Sequence, residues 1–231
     1  MKEEDISSSS RSLYEFTKEI EADMLNDFTI RCTCGTLRGR TSDLSTDDGP
    51  RLVCYCDDCQ AFARFLGRAD DILDEAGGTD VFQLSPAHLR INKGIDHLAC
   101  MRLKSKGLLR WFADCCRTPI GNTLATRQVS FVGLVNTCIH LEDGSSLDDL
   151  IGPIQGGVHG RFATGDRSNL RASDGAPLSL IARSMGKILK RRLRGDHRHS
   201  PFFDTRTGKP VVTPKVLSAA ERRELGSSRP T

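Results

Sequence analysis

The chain has no long apolar run: none of its apolar stretches approaches the ~20 residues that a membrane-crossing helix needs. Residues 1–10 lack the apolar segment of a secretory signal, so we expect a cytoplasmic protein. The glycine-rich stretch 152–160 lacks the Gly-Lys-Ser/Thr ending of a phosphate loop, and we interpret it as turns. Hydrophobic residues make up only 38% of the 231 and aromatics 6%, so the core is modest and a metal would help to stabilise it.

The chain contains nine cysteines, and seven of them fall into three tight groups. An odd number of cysteines without an export signal argues against a disulfide framework. Cys100 and Cys138 stand alone, and we predict that they are small core residues. Core packing gives no reason for the spacing of the other seven, which is typical of metal binding. The groups are Cys32 with Cys34, Cys54 with Cys56 and Cys59, and Cys115 with Cys116.

The spacing within the first two groups suits a tetrahedral Zn²⁺ site. Side chains two apart on a strand point to the same face, so Cys32/Cys34 and Cys54/Cys56 can each offer two sulfurs to one ion. Cys56 and Cys59 have the spacing of a zinc knuckle, in which a tight turn brings both thiolates onto one metal. Three sulfurs are the ligand number of a catalytic zinc with one open position, whereas a fourth protein ligand would make the site structural.

The order Cys-x-Cys-Gly, Cys-x-Cys-x-x-Cys and an aromatic-led Cys-x-Thr-Pro resembles the family of glutathione-dependent formaldehyde-activating enzymes and centromere protein V, over about residues 28 to 135. The resemblance implies a mainly β fold, a β-tent of small antiparallel sheets held together by two zinc ions. It implies that Cys32 and Cys34 bind a structural zinc together with a later cysteine pair. It also implies that Cys54, Cys56 and Cys59 bind a second zinc, which leaves room for a thiol such as glutathione.

The later pair departs from the family pattern. Cys116 takes the place of the second family cysteine, whereas Ala113 takes the place of the first. Cys115 or an oxygen of Asp114 are the alternatives for the missing ligand. Because neighbouring residues on a strand point to opposite faces, Cys115 and Cys116 need a turn or a bulge to reach one metal.

The charge of a three-thiolate site indicates its chemistry. Zn²⁺ with three thiolates has a formal charge of 2 − 3 = −1, which weakens it as a Lewis acid and suits capture of a soft thiol. We therefore expect a carbon–sulfur lyase-like reaction on thiol adducts of a small aldehyde. Asp57 and Asp58 are the nearest candidates for proton transfer, and their alternative role is that of exposed turn residues. His88, His97 and His140 are alternative bases or missing ligands.

The charge distribution and the composition predict three regions. Residues 1–26 form an acidic N-terminal arm with a possible helix at 14–25, residues 27–140 form the zinc-binding β domain, and residues 141–231 form a turn-rich and helical extension that packs on it. Residues 1–30 carry three basic and eight acidic side chains, a net charge of −5, whereas residues 181–200 carry seven against one, a net charge of +6. The two ends can attract each other, or the basic end can meet an external anion.

Residues 177–194 give the clearest helical pattern, with a basic face opposite an apolar one. We predict that the apolar face packs on the β domain and leaves the Lys/Arg face in solvent. The alternative is a non-catalytic, zinc-stabilised interaction module that contacts nucleic acid through this helix. The apolar residues of the pattern are Leu178, Ile181, Met185, Ile188, Leu189 and Leu193.

Overall fold

The computed structural model describes residues 27–44, 48–141, 144–165, 167–168 and 170–226. The predicted N-terminal arm, with its possible helix at 14–25, lies outside the described residues. Within the described ranges, every helix is too short or too polar to cross a lipid bilayer.

Twelve strands and five α-helices make up the described chain. The strands are β1 (Thr29–Arg31), β2 (Arg38–Thr41), β3 (Arg51–Cys54), β4 (Thr79–Leu84), β5 (Leu89–Lys93), β6 (Leu98–Arg102), β7 (Leu109–Ala113), β8 (Thr118–Thr123), β9 (Val132–Val135), β10 (Ile139–His140), β11 (Gly157–Val158) and β12 (Lys215–Val216). The helices are α1 (Asp57–Phe65), α2 (Ala69–Ile72), α3 (Leu147–Ile151), α4 (Leu178–Arg194) and α5 (Ala219–Glu224).

The strands form two sheets, which confirms the prediction of a mainly β fold. A four-stranded antiparallel sheet has the order β10-β1-β2-β5, and an eight-stranded sheet has the order β11-β3-β4-β9-β8-β7-β6-β12. The larger sheet is mixed, because β11 and β12 add to its two edges as parallel partners of β3 and β6. Both edge strands are two-residue segments from the C-terminal region, so this region extends the sheet on either side.

The main core lies around Trp111 in the larger sheet. Trp111 is fully buried, and the rings of Phe202 and Phe203 lie with their centroids 4.9 and 6.3 Å from its ring. Two C-terminal aromatics thus complete the core of the β domain. Cys100 and Cys138 are both buried in the same cluster, which confirms their predicted role as small core residues.

Helix α4 packs with the opposite face from the one we predicted. Its apolar residues form an exposed stripe, called the apolar stripe below, and the prediction that these residues are buried is wrong. Only Ile188, at the edge of the pattern, is half-buried. The exposed fractions are 84% for Leu178, 44% for Ile181, 58% for Met185, 58% for Leu189 and 81% for Leu193.

A buried carboxylate explains the orientation of α4. The Asp48 side chain is 1% exposed, and it accepts hydrogen bonds from Arg191 Nη2 at 3.0 Å and from the backbone N–H of Ser85 at 3.0 Å. Nδ1 of His88 lies 2.9 Å from its other oxygen. An unpaired buried carboxylate is costly, so the helix turns Arg191 inward, where it is 5% exposed. Burial raises the pKa of Asp48, but His88 and Arg191 outweigh this effect and hold it below its usual value.

Candidate metal centres

The first cysteine cluster joins the two sheets. Cys32 and Cys34 lie in the turn between β1 and β2, and Gly35, at φ 76°, closes this turn. Cys115 and Cys116 lie in the loop 114–117 between β7 and β8. The four sulfurs lie within 4.8 Å of one another.

The required turn at the later pair is present. Arg117, at φ 58°, adopts the left-handed conformation directly after the two cysteines, and this turn lets neighbouring side chains reach one cluster. Ala113, in the place of the first family cysteine, is a fully buried residue of β7. Oδ1 of Asp114 lies 3.0 Å from Nδ1 of His97, and these two residues form a further group of possible ligands that shares Cys115.

The sulfur–sulfur distances fit a tetrahedral metal. They are 3.3 Å for Cys34–Cys115, 3.5 Å for Cys32–Cys34, 3.8 Å for Cys32–Cys115 and 3.9 Å for Cys115–Cys116. A regular tetrahedron with Zn–S bonds of about 2.3 Å has edges of about 3.8 Å. A disulfide needs about 2.05 Å. The cluster therefore has the size that Zn²⁺ requires before any ion is placed in it.

Hydroxyl groups and an arginine surround the first cluster. The Thr118 hydroxyl lies 3.1 Å from Cys116 Sγ and accepts a hydrogen bond from the Thr33 N–H at 2.9 Å. Nη1 of Arg68 donates to Thr118 Oγ1 at 3.1 Å and to the Cys116 carbonyl at 3.2 Å. These contacts connect the two cysteine-bearing turns and fix their orientation, as outer groups do around metal ligands. A hydrogen bond with the Thr36 hydroxyl lowers the pKa of Cys34 to about 6, which favours a thiolate.

The three cysteines of the second cluster lie close together in the sequence. Cys54 ends β3, Cys56 precedes α1 as its N-cap, and Cys59 lies in the first turn of α1. The N–H of Cys59 donates to the Cys56 carbonyl at 3.0 Å, so the predicted knuckle turn is present. The three sulfurs lie within 4.8 Å of one another, and among the residues that the structure describes no His, Asp or Glu ligand atom joins this group.

A buried arginine lies beside the second cluster. Arg110 on β7 is 3% exposed, and its Nη1 lies 3.8 Å from Cys59 Sγ and 3.2 Å from Asn122 Oδ1. Its guanidinium lies over the Phe62 ring, 5.3 Å from the centroid. A cation in such a dry place needs an anion nearby. Hydrogen bonds from Cys54 and Cys56, together with Arg110, hold the pKa of Cys59 well below its usual value despite burial.

The charges of the second cluster balance when a divalent ion is present. Zn²⁺ with three thiolates carries −1 and Arg110 carries +1, so the formal sum is 0. The pKa of Cys59 is held low, whereas the pKa of Cys54 is raised because it hydrogen-bonds with Cys56 and Cys59. The donor set and its counter-ion therefore fit a zinc ion bound by three cysteines.

Access to the second cluster is one-sided. The space between Cys59, Phe62 and Arg110 has no room for a water molecule. Cys54 and Cys56, in contrast, are partly exposed. A fourth ligand of a metal here must therefore approach from the side of Cys54 and Cys56. The C-terminal region borders this corner, because Val158 of β11 pairs with Cys54.

The structure places the predicted acid–base residues at different distances from the second cluster. Asp57 and Asp58 lie half-buried in the first turn of α1, next to Cys56 and Cys59, and the charge of Asp58 contributes to the raised pKa of Arg110. Their part in proton transfer stays a prediction. His88, His97 and His140 lie elsewhere: His88 contacts Asp48, His97 borders the first cluster, and His140 is exposed on β10.

Sequence reasoning missed Arg110, Thr118 and Arg68. A usable signal existed for Arg110, because it interrupts the apolar run Leu-Leu-Arg-Trp-Phe-Ala. A charge within a strand that is buried on both faces indicates a buried partner. Thr118 and Arg68 gave no such signal, because their roles depend on contacts between segments that lie far apart in the sequence.

Fold and site together define a mainly β protein with two cysteine clusters that could hold metal ions such as zinc. The chain belongs to a family of unknown function (DUF6151), whose profile matches residues 24–214. It is similar to a Rhodobacter sphaeroides protein of known crystal structure (Northeast Structural Genomics target RhR83), with 17% identity over 55% of this chain and 96% of that one and a TM-score of 0.36. No curated protein matches the chain.

Proposed function

We propose that the protein binds two zinc ions, and that the second one takes part in carbon–sulfur chemistry on thiol adducts of a small aldehyde. The first ion is bound by Cys32, Cys34, Cys115 and Cys116, and the second by the cluster of Cys54, Cys56 and Cys59. The observation that carries the proposal is the buried Arg110 beside a cluster of three sulfurs. It supplies the charge that a three-thiolate zinc site needs, and no fourth protein ligand is among the described residues.

The resemblance to the formaldehyde-activating family supports this chemistry. Zinc, when bound, supplies a soft cation that keeps a thiol substrate deprotonated and nucleophilic. A carbon–sulfur bond then forms between the thiol sulfur and the aldehyde carbon, while the thiol proton goes to the carbonyl oxygen; the reverse reaction splits the adduct. Asp57 or Asp58 moves this proton, since both lie in the turn that carries Cys56 and Cys59. Arg110 stays behind the cluster and offsets its charge.

A non-catalytic interaction module is the second candidate function. Helix α4 favours it, because this helix carries six Lys/Arg residues and no acidic residue. In that case zinc would serve only to hold the fold, and a polyanion such as nucleic acid would bind the basic helix. Thiol binding at the second cluster separates the two candidates.

Cobalt substitution tests the proposed function directly. Co²⁺ reports the number of thiolate ligands by its sulfur-to-metal absorption, and we expect glutathione to add one thiolate to the second ion. Cys56→Ser should abolish this change, whereas Cys138→Ser, at a buried cysteine outside both clusters, should preserve it. Exchange of labelled formaldehyde with its glutathione adduct, followed by NMR, then measures turnover. If the cobalt spectrum is unchanged by glutathione and exchange is not accelerated, the interaction module takes the place of the enzyme.

A further inference from the structure

The apolar stripe of α4 needs an occupant. Its five side chains recur at steps of three and four residues along one face of a 17-residue helix, and each is 44% to 84% exposed. Scattered exposed apolar residues are ordinary, but a continuous stripe of this length along a helix marks a surface that another element covers. The opposite face of α4 already contacts the rest of the protein, because Arg191 on that face forms an ion pair with Asp48.

Residues 12–26 match the apolar stripe in spacing. Leu13, Phe16, Ile20 and Met24 lie at positions i, i+3, i+7 and i+11. The stripe has the same steps, from Leu178 through Ile181 and Met185 to Leu189. Two helices with equal apolar periods can place their side chains between one another along their length.

The two segments also match in charge. Residues 12–26 contain the acidic residues Glu15, Glu19, Glu21 and Asp23 against one Lys, a net charge of −3. Helix α4 has six basic residues and no acidic one, a net charge of +6. A second copy of α4 would carry the same net positive charge, which disfavours self-association. The acidic N-terminal segment is therefore the better partner.

The chain enters the described fold close to α4. The Phe28 N–H donates to Thr41 Oγ1 at 2.8 Å. The residue after Thr41, Ser42, donates through its N–H to the His88 carbonyl at 3.0 Å. His88 in turn contacts Asp48, the partner of Arg191. A helix over residues 12–25 would be about 21 Å long and α4 is about 26 Å long, so the two lengths are comparable.

We propose that residues 12–26 bind the apolar stripe of α4 within the same chain, as an amphipathic helix whose net charge is opposite to that of α4. In this arrangement, the segment that covers the apolar stripe belongs to the same chain as α4. It leaves Arg191 and Asp48 undisturbed, because both lie on the other face of the helix.

Photo-crosslinking in the full-length protein tests this contact. Benzoylphenylalanine replaces Met185, an exposed stripe residue, and mass spectrometry identifies the linked peptides after illumination. The control carries the same group at Ser179, which is exposed on α4 but lies off the stripe. We expect links from position 185 to residues 12–26 of the same chain, at a yield independent of protein concentration. The double substitution Phe16→Asp with Ile20→Asp should lower that yield at least about tenfold, since removing two buried apolar side chains costs more than 1.4 kcal/mol.

Three results would overturn the proposal. The first is a link between two chains whose yield rises with protein concentration, because a second copy would then cover the stripe. The second is a link to residues 12–26 that the double substitution leaves unchanged, or that the Ser179 position gives equally well. The third is the absence of such links; if the protein then binds vesicles of anionic phospholipid in a manner that Met185→Asp abolishes, a lipid surface is the occupant instead.

Discussion

The two cysteine clusters differ most in how far apart their members lie along the chain. In the first, Cys32 and Cys115 are 83 residues apart, and the cluster joins the four-stranded sheet to the eight-stranded one. In the second, Cys54, Cys56 and Cys59 lie within six residues, between β3 and α1. A link that closes a long loop restrains the unfolded chain more than a local one. An ion in the first cluster would therefore restrain the whole fold, whereas an ion in the second would restrain one corner of it.

The two clusters also differ in their surroundings. The first cluster lies near the surface, with Cys34 and Cys115 exposed, and hydroxyl groups orient it. The second backs onto a dry interior, where the buried Arg110 offsets its charge. The number of cysteines alone therefore does not describe the difference between the two clusters. They differ in the segments that they connect and in the presence of a buried counter-ion.

Loss of one ligand in each cluster should have very different effects on folding. Cys32→Ser breaks the link between the sheets, and a structural zinc contributes on the order of 10 kcal/mol to folding. We expect this variant to unfold or aggregate, whereas Cys56→Ser should lose the second ion and keep most of the fold. Thermal unfolding and zinc content, measured on the same samples, check both statements. Equal melting temperatures for the two variants would remove the distinction between the clusters.

Removal of the buried cation should affect the second cluster alone. Arg110→Met leaves a three-thiolate zinc site without its counter-ion, and breaking a buried charge pair costs about 3–5 kcal/mol. The affinity for the second ion should therefore fall by about two to four orders of magnitude, while the first ion stays bound. Chelator competition resolves the two ions. Arg110→Lys, which keeps the charge, should restore part of the affinity; an equal loss in both variants would mean that the shape of Arg110 matters rather than its charge.

Removal of an outer hydroxyl should affect the first cluster alone. Thr118→Val keeps the shape of the side chain but deletes the contacts with Cys116, Thr33 and Arg68. Such outer contacts change metal affinity by about 10- to 100-fold. The first ion should be lost at a correspondingly lower chelator concentration, and the second ion should be unaffected. Thr126→Val, at an exposed site in a turn, is the matched control.

The spacing of residues along the chain predicted the grouping of the cysteines and one helix. The sulfurs within each of the two cysteine clusters lie within 4.8 Å of one another, and the helix predicted at 177–194 spans Leu178–Arg194. The predicted orientation of α4 was wrong, because the apolar pattern carries no information about Asp48. That carboxylate lies 143 residues before Arg191, and its burial decides which face turns inward. The spacing of apolar residues along a helix does not reveal charge pairs between segments that lie far apart in the sequence.

Asp48, His88 and Arg191 form an ion-pair network that attaches α4 to the β domain without any cysteine. The stability that this network contributes should depend on pH in a different way from that of the two cysteine clusters. Burial lowers the pKa of His88, but the hydrogen bond and the charge of Asp48 outweigh this effect and raise it above its ordinary value. A raised pKa means that the folded state binds the proton more tightly than the unfolded state. The stabilisation by charged His88 is therefore complete below about pH 6.5, the ordinary pKa of His, and it is lost as the pH rises through the raised pKa.

His88→Gln should accordingly destabilise the protein by about 1 kcal/mol at pH 6 and by less at pH 9. Urea unfolding of wild type and variant at both values measures the difference in the free energy of unfolding. Zinc affinity also changes with pH, because thiols must lose their protons, but this contribution is common to both proteins and cancels in the difference. His140→Gln, on the exposed strand β10, is the control for the loss of a histidine outside this network. If His88→Gln were equally destabilising at pH 6 and pH 9, His88 would hold Asp48 by shape and hydrogen bonding alone. Its charge would then have no part in attaching α4.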